Sequence, residues 1–258
     1  EDALGLGRTT VDVAYQGLEA ARDGLQQIKE LLVSARSPGV DRANIQTQID
    51  GILNDLQTKA SASVINEQNW LEVDTSAAGY NANKEVVGSF ERPANGSVTV
   101  GTIDLDITNI VLVDNNATAA SRVGILDQQR DADGDGDGTD DLTAQTVLDL
   151  SGTTISGLSD SAGDLVTLDS WINLVDAALT DVIGAQNQVG VVMSRIDSQM
   201  DFVNSLMDAN ERAVGTLVDA NMEEESTRLR ALQTQQQLAV QSLSITNGSS
   251  QNVLQLFR

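Results

Sequence analysis

The sequence contains no cysteine and no histidine. Without cysteine there is no disulfide and no thiolate chemistry, and such chains suit either redox compartment. Without histidine the commonest general base and the commonest transition-metal ligand are missing, and histidine-based nucleophilic triads with them. Aromatic residues make up only 3% of the chain and prolines number two, so sugar-stacking surfaces are scarce. Basic residues are also few: 15 Lys and Arg against 38 Asp and Glu leave a net charge of -23. Nucleic acid and anionic membrane surfaces would be repelled by such a chain. No apolar run approaches the ~20 residues of a membrane span, and no basic-then-apolar leader opens the sequence. Gly5-Leu6-Gly7 lacks the strand and lysine of a phosphate loop. Paired carboxylates could serve glycoside hydrolysis, but with this many aspartates such pairs arise by chance. No catalytic and no cofactor-binding residue is expected. The 258 residues suffice for one or two domains with a sizeable core. Their composition suits long helices with small and aliphatic seams.

Those seams are present. Val11, Ala14, Leu18, Ala21, Leu25, Ile28, Leu32 and Ala35 recur at steps of three and four, the heptad spacing of a packed helix. Ser37-Pro38-Gly39 stops the run, and Asp41 is placed to cap a second helix whose seam reads Ile45, Ile49, Ile52, Leu56. A short turn between two helices predicts an antiparallel hairpin. From Trp171 the same step pattern resumes through Val175, Ala178, Val182, Ala185, Val189, Val192, Ile196, Gln199, Val203, Leu206, Asn210, Ala213 and Leu217. A helix over residues 170–217 would be ~70 Å long and needs partner helices to cover its seam. Gln199 and Asn210 would either set register or face solvent. Core packing is expected between Leu18, Leu25 and Ile28 on the first helix and Val189, Ile196 and Val203 on the last. Met193, Met200, Met207 and Met222 are expected to fill core gaps. After Met222 the apolar face thins and becomes Gln-rich, and Asn247-Gly248-Ser249-Ser250 is expected to loosen the helix. The chain then ends on Val253-Leu254-Gln255-Leu256-Phe257-Arg258. An apolar end of this kind fits burial in an assembly.

Between the helices the period changes. Val98 and Val100, then Ile103, Leu105 and Ile107, alternate with polar residues as half-buried strands do, and Ile110–Val113 reads as a further strand. Trp70 and Trp171 flank this stretch and are expected to pack where it joins the helices. Within it lies Asp131-Ala-Asp-Gly-Asp-Gly-Asp-Gly-Thr-Asp-Asp141-Leu142. Asp131, Asp133, Asp135, Asp137 and Asp141 are candidate calcium ligands. Calcium loops of the EF-hand type close with a carboxylate at position twelve. Here that position is Leu142 or Ala144, depending on the frame, so the alternative is a solvated acidic loop. The expected fold class is mainly α with a β-rich insert: a long antiparallel helical bundle carrying a small acidic α+β domain. The expected divisions are residues 1–74, 75–168, 169–216 and 217–258.

Three stretches resemble bacterial flagellins. Leu232–Arg258 is similar to their C-terminal end, most specifically in Asn252-Val-Leu-Gln-Leu-Phe-Arg258; Gly17–Ala35 is similar to their first long core helix, with its Glu30-Leu31 pair; and Ile65-Asn-Glu-Gln-Asn-Trp70 matches the exit from the second helix. The likeness covers residues 3–74 and 165–258 and is greatest to flagellins of alpha-proteobacteria. It implies an extracellular, non-enzymatic filament subunit for swimming motility. Its partners would be copies of itself, the flagellar export apparatus, an export chaperone and the hook-associated proteins. It implies assembly through Leu238, Leu243, Val253, Leu254, Leu256 and Phe257, with no membrane insertion, no nucleic acid and no cofactor. The family's N-terminal polymerisation helix would precede Glu1, so the chain as given is not expected to build a normal filament by itself. Flagellins recognised by the vertebrate Toll-like receptor carry a basic residue where this chain has Gln27, so weak or no activation is expected. Two alternatives stay open: a hook–filament junction protein of the same family, and an acidic calcium-dependent surface adhesin.

Overall fold

The computed structural model describes residues 2–91, 99–130 and 145–256, without the side chains of 90, 91, 99, 220 and 247–256. Two helices open the chain: α1, Asp2–Ala35, and α2, Arg42–Ala62. α1 buries Leu4, Val11, Ala14, Leu18, Ala21, Leu25, Ile28, Leu32 and Ala35 on one face. Its end follows from Pro38 and from Gly39, which adopts a φ of 74° that favours glycine. The Asp41 carboxylate then accepts the free N–H groups of Ala43 and Asn44, both at 3.1 Å, and starts α2. α2 buries Ile45, Ile49, Leu53, Leu56 and Ala60. Leu53 takes the place expected of Ile52, which is half-buried. At Gly24 the two helices meet so closely that a Cβ would stand 2.8 Å from Leu56 Cδ2.

Asn69 finishes α2 from outside. Its amide donates to the Ala60 carbonyl at 2.7 Å, which also accepts from Ser63 N at 3.3 Å, and its oxygen accepts from Leu71 N at 2.9 Å and Glu72 N at 3.0 Å. Between lies a minimal hairpin, β1 (Val64–Ile65) and β2 (Gln68–Asn69), turned by Asn66 and Glu67 at φ 50° and 63°. β3 (Glu72–Val73) follows, then a longer antiparallel ribbon of β4 (Asn83–Glu91) and β5 (Thr99–Asp106). The ribbon turns Val86, Ile103 and Leu105 inward. Val100 is exposed, because β5 alternates without a break and Val100 shares the outward face of Thr102 and Asp104, opposite Ile103 and Leu105; the irregularity lies on β4, between Val87 and Ser89. Val86 rests on α1 where only Gly7 leaves room: a Cβ there would overlap the valine methyl. Val98 lies outside the described residues.

The run Ile110–Val113 is not the strand its composition suggests. Ile110, Val111 and Leu112 are buried in turns, and only Val113 enters a strand, β6 (Val113–Asp114), which pairs in parallel with β3. Backbone bonds from Leu112 N and Val113 N to Leu71 O, and from Asn115 N to Val73 O, fix that pairing. Single 3₁₀ turns at Ala119–Ser121 and Val147–Leu150 complete the insert.

The last helix, α3, spans Ala162–Leu256. It begins well before the expected start at 169. The reason is Ser161, whose hydroxyl accepts from Asp164 N at 3.2 Å, while the Asp164 carboxylate accepts from the Ser159 amide and hydroxyl. These bonds, with the Ser161 contact, hold the Asp164 carboxyl below the usual carboxylate range. Its helical backbone also continues through Asn247-Gly248-Ser249-Ser250, where a loosening was expected. Glu1–Met200 pack as one compact unit and Asp201–Arg258 form a second. The fold is mainly α with a small strand-containing region.

Candidate assembly surface

The first half of α3 is covered by its own chain. Trp171, Leu174, Val175, Ala178, Val182, Ala185, Val189, Val192 and Ile196 are all buried. Three ion pairs fix its register on α1: Arg8–Asp197 at 2.6 Å, Lys29–Asp176 at 2.5 Å and Arg36–Asp169 at 3.1 Å. Three heptads separate Arg8 from Lys29 and one separates Lys29 from Arg36, with the same intervals in reverse along α3. The two helices are therefore antiparallel and locked in heptad step. This register gives the level at which each expected core residue stands along the two helices. Leu18 stands level with Val189, but Leu25 and Ile28 stand level with Val182, Ala178 and Val175. Ile196 stands level with the turn of α1 that holds Val11. Val203 is only half-buried and belongs to the second unit. Heptad spacing gives a face, not the partner's phase; the three exposed ion pairs mark that phase. Trp70 and Trp171 are buried, whereas Met207 and Met222 are exposed and Met193 and Met200 half-buried, so none of the four methionines sits in the core.

Beyond Met200 the pattern inverts. Phe202, Leu206, Met207, Val214, Leu217, Val218 and Met222 are exposed, as are Leu229, Leu232, Leu238, Val240, Leu243 and Ile245. Leu229, Leu232, Ala239 and Leu243 fall on one face at heptad intervals, with Gln236 in the remaining position. Leu238 and Leu243, expected assembly residues, are 61% and 71% exposed, so little of either is covered within the chain. Fully burying each side chain contributes roughly 1.5–3 kcal/mol. The side chains of Val253, Leu254 and Leu256, and all of Phe257, lie outside the described residues. So do Asp131, Asp133, Asp135, Asp137 and Asp141. Among the described residues no group of three potential metal-binding side chains occurs and no helix is long and apolar enough to cross a membrane.

Two polar groups were not foreseen from the sequence. The α2 residues Arg42, Gln46 and Asp50, one turn apart, grip the segment leading to α3. Arg42 donates to Ala35 O (2.9 Å), Leu158 O (3.3 Å) and Asp160 (2.6 Å). Gln46 donates to Leu150 O at 2.6 Å and accepts from Ile155 N at 2.7 Å, and Asp50 accepts from Gly152 N at 3.0 Å. The available signal was a polar i, i+4, i+8 row on a helix otherwise read only for its apolar face. The second group surrounds Asp114 and Asp127, both buried in the insert; its members are remote in sequence and left no motif.

A core of heptad-packed helices, an inserted strand-containing region and an apolar helical face left bare define a self-assembling structural subunit. The family described as bacterial flagellin C-terminal helical region matches residues 172–257. Over its whole length the chain is 37% identical to Flagellin B of Rhizobium meliloti, covering 84% of that protein. It is 39% identical to Flagellin C of Rhizobium meliloti (strain 1021), covering 80%, and 33% identical to a flagellin of Brucella melitensis biotype 1, covering 77%. The chain belongs to the bacterial flagellin family. It is a structural subunit of the extracellular flagellar filament.

Proposed function

We propose that this chain builds its filament through the bare face of α3, with Leu238 and Leu243 buried against neighbouring copies and Val253, Leu254, Leu256 and Phe257 extending that contact. The observation that carries the reading is the change along one helix from fully covered seam residues, ending at Ile196, to exposed apolar ones from Phe202 onward. Burial in a polymer removes that apolar surface from water. In this reading the protein performs no catalysis and uses no metal or cofactor. It reaches its place through the flagellar export apparatus with an export chaperone, and it adjoins the hook-associated proteins at the filament ends. The acidic insert faces outward, where like charge keeps filaments apart.

The test is electron microscopy of flagellin-null cells supplied with the wild-type gene or with Leu238→Asp/Leu243→Asp. The double variant is expected to be folded and to form no filaments; normal filaments from it would overturn the assignment. Gln27 is exposed on α1 and offers an amide where a basic residue would present a charge. Weak activation of the vertebrate Toll-like receptor for flagellin follows, and a strong response in a reporter-cell assay would contradict it.

A further inference from the structure

The pairing of β3 with β6 closes over two aspartates that are 1% and 2% exposed, Asp114 and Asp127. Asp114 is saturated. Its oxygens accept from Thr75 N (3.0 Å), Asn116 N (3.0 Å), Thr75 Oγ1 (2.7 Å) and Val123 N (3.2 Å). Burial pushes its pKa up, but these bonds outweigh it and hold the carboxyl below its ordinary range.

Asp127 is not saturated. Oδ2 accepts from Asp114 N at 2.8 Å, while Oδ1 has no partner among the described residues. Oδ1 occupies the space a Cβ on residue 124 would fill, which accounts for Gly124; the Leu112 carbonyl oxygen lies 2.9 Å from that same point. An ionised oxygen buried without a donor is costly. With a proton it becomes a donor, and the Leu112 carbonyl is the acceptor closest to the point where a residue-124 Cβ would stand. Burial raises this carboxyl to about 6, opposed by the Asp114 N–H and the charge of Arg122 and reinforced by the charge of Asp114. Among the described residues the other ionisable groups nearby have partners of their own: Glu72 accepts from Asn115, Asp149 from Thr146, and Arg130 pairs with Asp181 and donates to Ile125 O. Arg122 Nε donates to Asn116 O, and Tyr80 is raised by its own burial and by Asp114.

We propose that Asp127 is a proton-operated clasp of the insert: protonated, its Oδ1 donates to the Leu112 carbonyl and holds residues 111–127 against Leu71–Val73, and ionised, it favours their release. The amides that report on the clasp are Leu112, Val113, Asn115, Ile125 and Leu126, all bonded across it.

The test is hydrogen exchange on the whole chain at pH 5 and pH 8, corrected for the intrinsic pH dependence of amide chemistry. In the wild type, opening at these amides is expected to be about tenfold more frequent at pH 8, with Ile49 and Leu56 in α2 unchanged. Asp127→Asn keeps the acceptor for Asp114 N and supplies an N–H in place of the proton, so its opening should be the same at both pH values. Equal corrected rates in the wild type, or a pH dependence that survives in Asp127→Asn, would overturn the proposal. Should that variant fail to fold, carbon-13 titration of the wild-type Asp127 carboxyl decides: a midpoint near 6 supports the clasp and one near 4 ends it.

Discussion

A guanidinium taken out of water costs several kcal/mol unless its donors find acceptors. Arg42 is 8% exposed and satisfies this with two carbonyls and the Asp160 carboxylate. Arg42→Ala should therefore cost about 2–4 kcal/mol in chemical denaturation, leaving acceptors buried and unpaired. Glu67 illustrates the opposite case. It sits exposed at φ 63°, in a left-handed conformation that costs a side-chain-bearing residue about 1 kcal/mol. Glu67→Gly should raise the melting temperature, and a lowered one would mean that the glutamate makes a contact outweighing its strain. Asp114 and Asp127 act with opposite signs. Asp127, raised to about 6, contributes stability below pH ~4 that is lost as pH rises through 6. Asp114, lowered, contributes stability above pH ~4 that is lost on further acidification. Their joint contribution is greatest between about pH 4 and 6, where thermal melts of the insert's near-ultraviolet signal should peak.

Among the elements, α3 holds the sharpest contrast. Ile196→Ala in its covered half should cost about 2–5 kcal/mol of folding stability. Leu238→Ala in its bare half should change monomer stability by less than about 0.5 kcal/mol yet weaken assembly, as sedimentation would show. The sequence made α1, α2, the Asp41 cap and the step pattern of α3 readable because each is written in local periodicity. It did not make the α1–α3 register readable, since that is a match between residues more than a hundred positions apart, marked by the pairs of Arg8, Lys29 and Arg36 with their acids. The early start of α3 was legible in Ser161-Ala-Gly-Asp164, a capping pattern, and in Leu168, which is buried one seam step before Trp171. Ile110–Val113 misled for a different reason: a fully buried turn and a buried strand require the same apolar composition. The proposed assembly residues Leu238 and Leu243 were reached through family likeness, since a thin, Gln-rich face gives little periodic signal by itself.

The molecule as a whole carries a net charge of -23, and copies brought side by side repel one another. The screening length falls from about 30 Å at 0.01 M salt to about 8 Å at 0.15 M. Light scattering should therefore find a lower critical concentration for polymerisation as salt is raised; insensitivity to salt would mean that the charges lie far from every subunit contact.

The two halves of α3 also answer to different judges. A fault between Trp171 and Ile196 weakens the fold of the single chain that carries it, and that chain is lost before it meets another. A fault between Phe202 and Ile245 leaves a sound chain that joins the growing end and offers a poor surface to the next arrival. In a cell making both versions, the first kind of allele should be silent and the second should shorten every filament, including those built mostly of normal subunits.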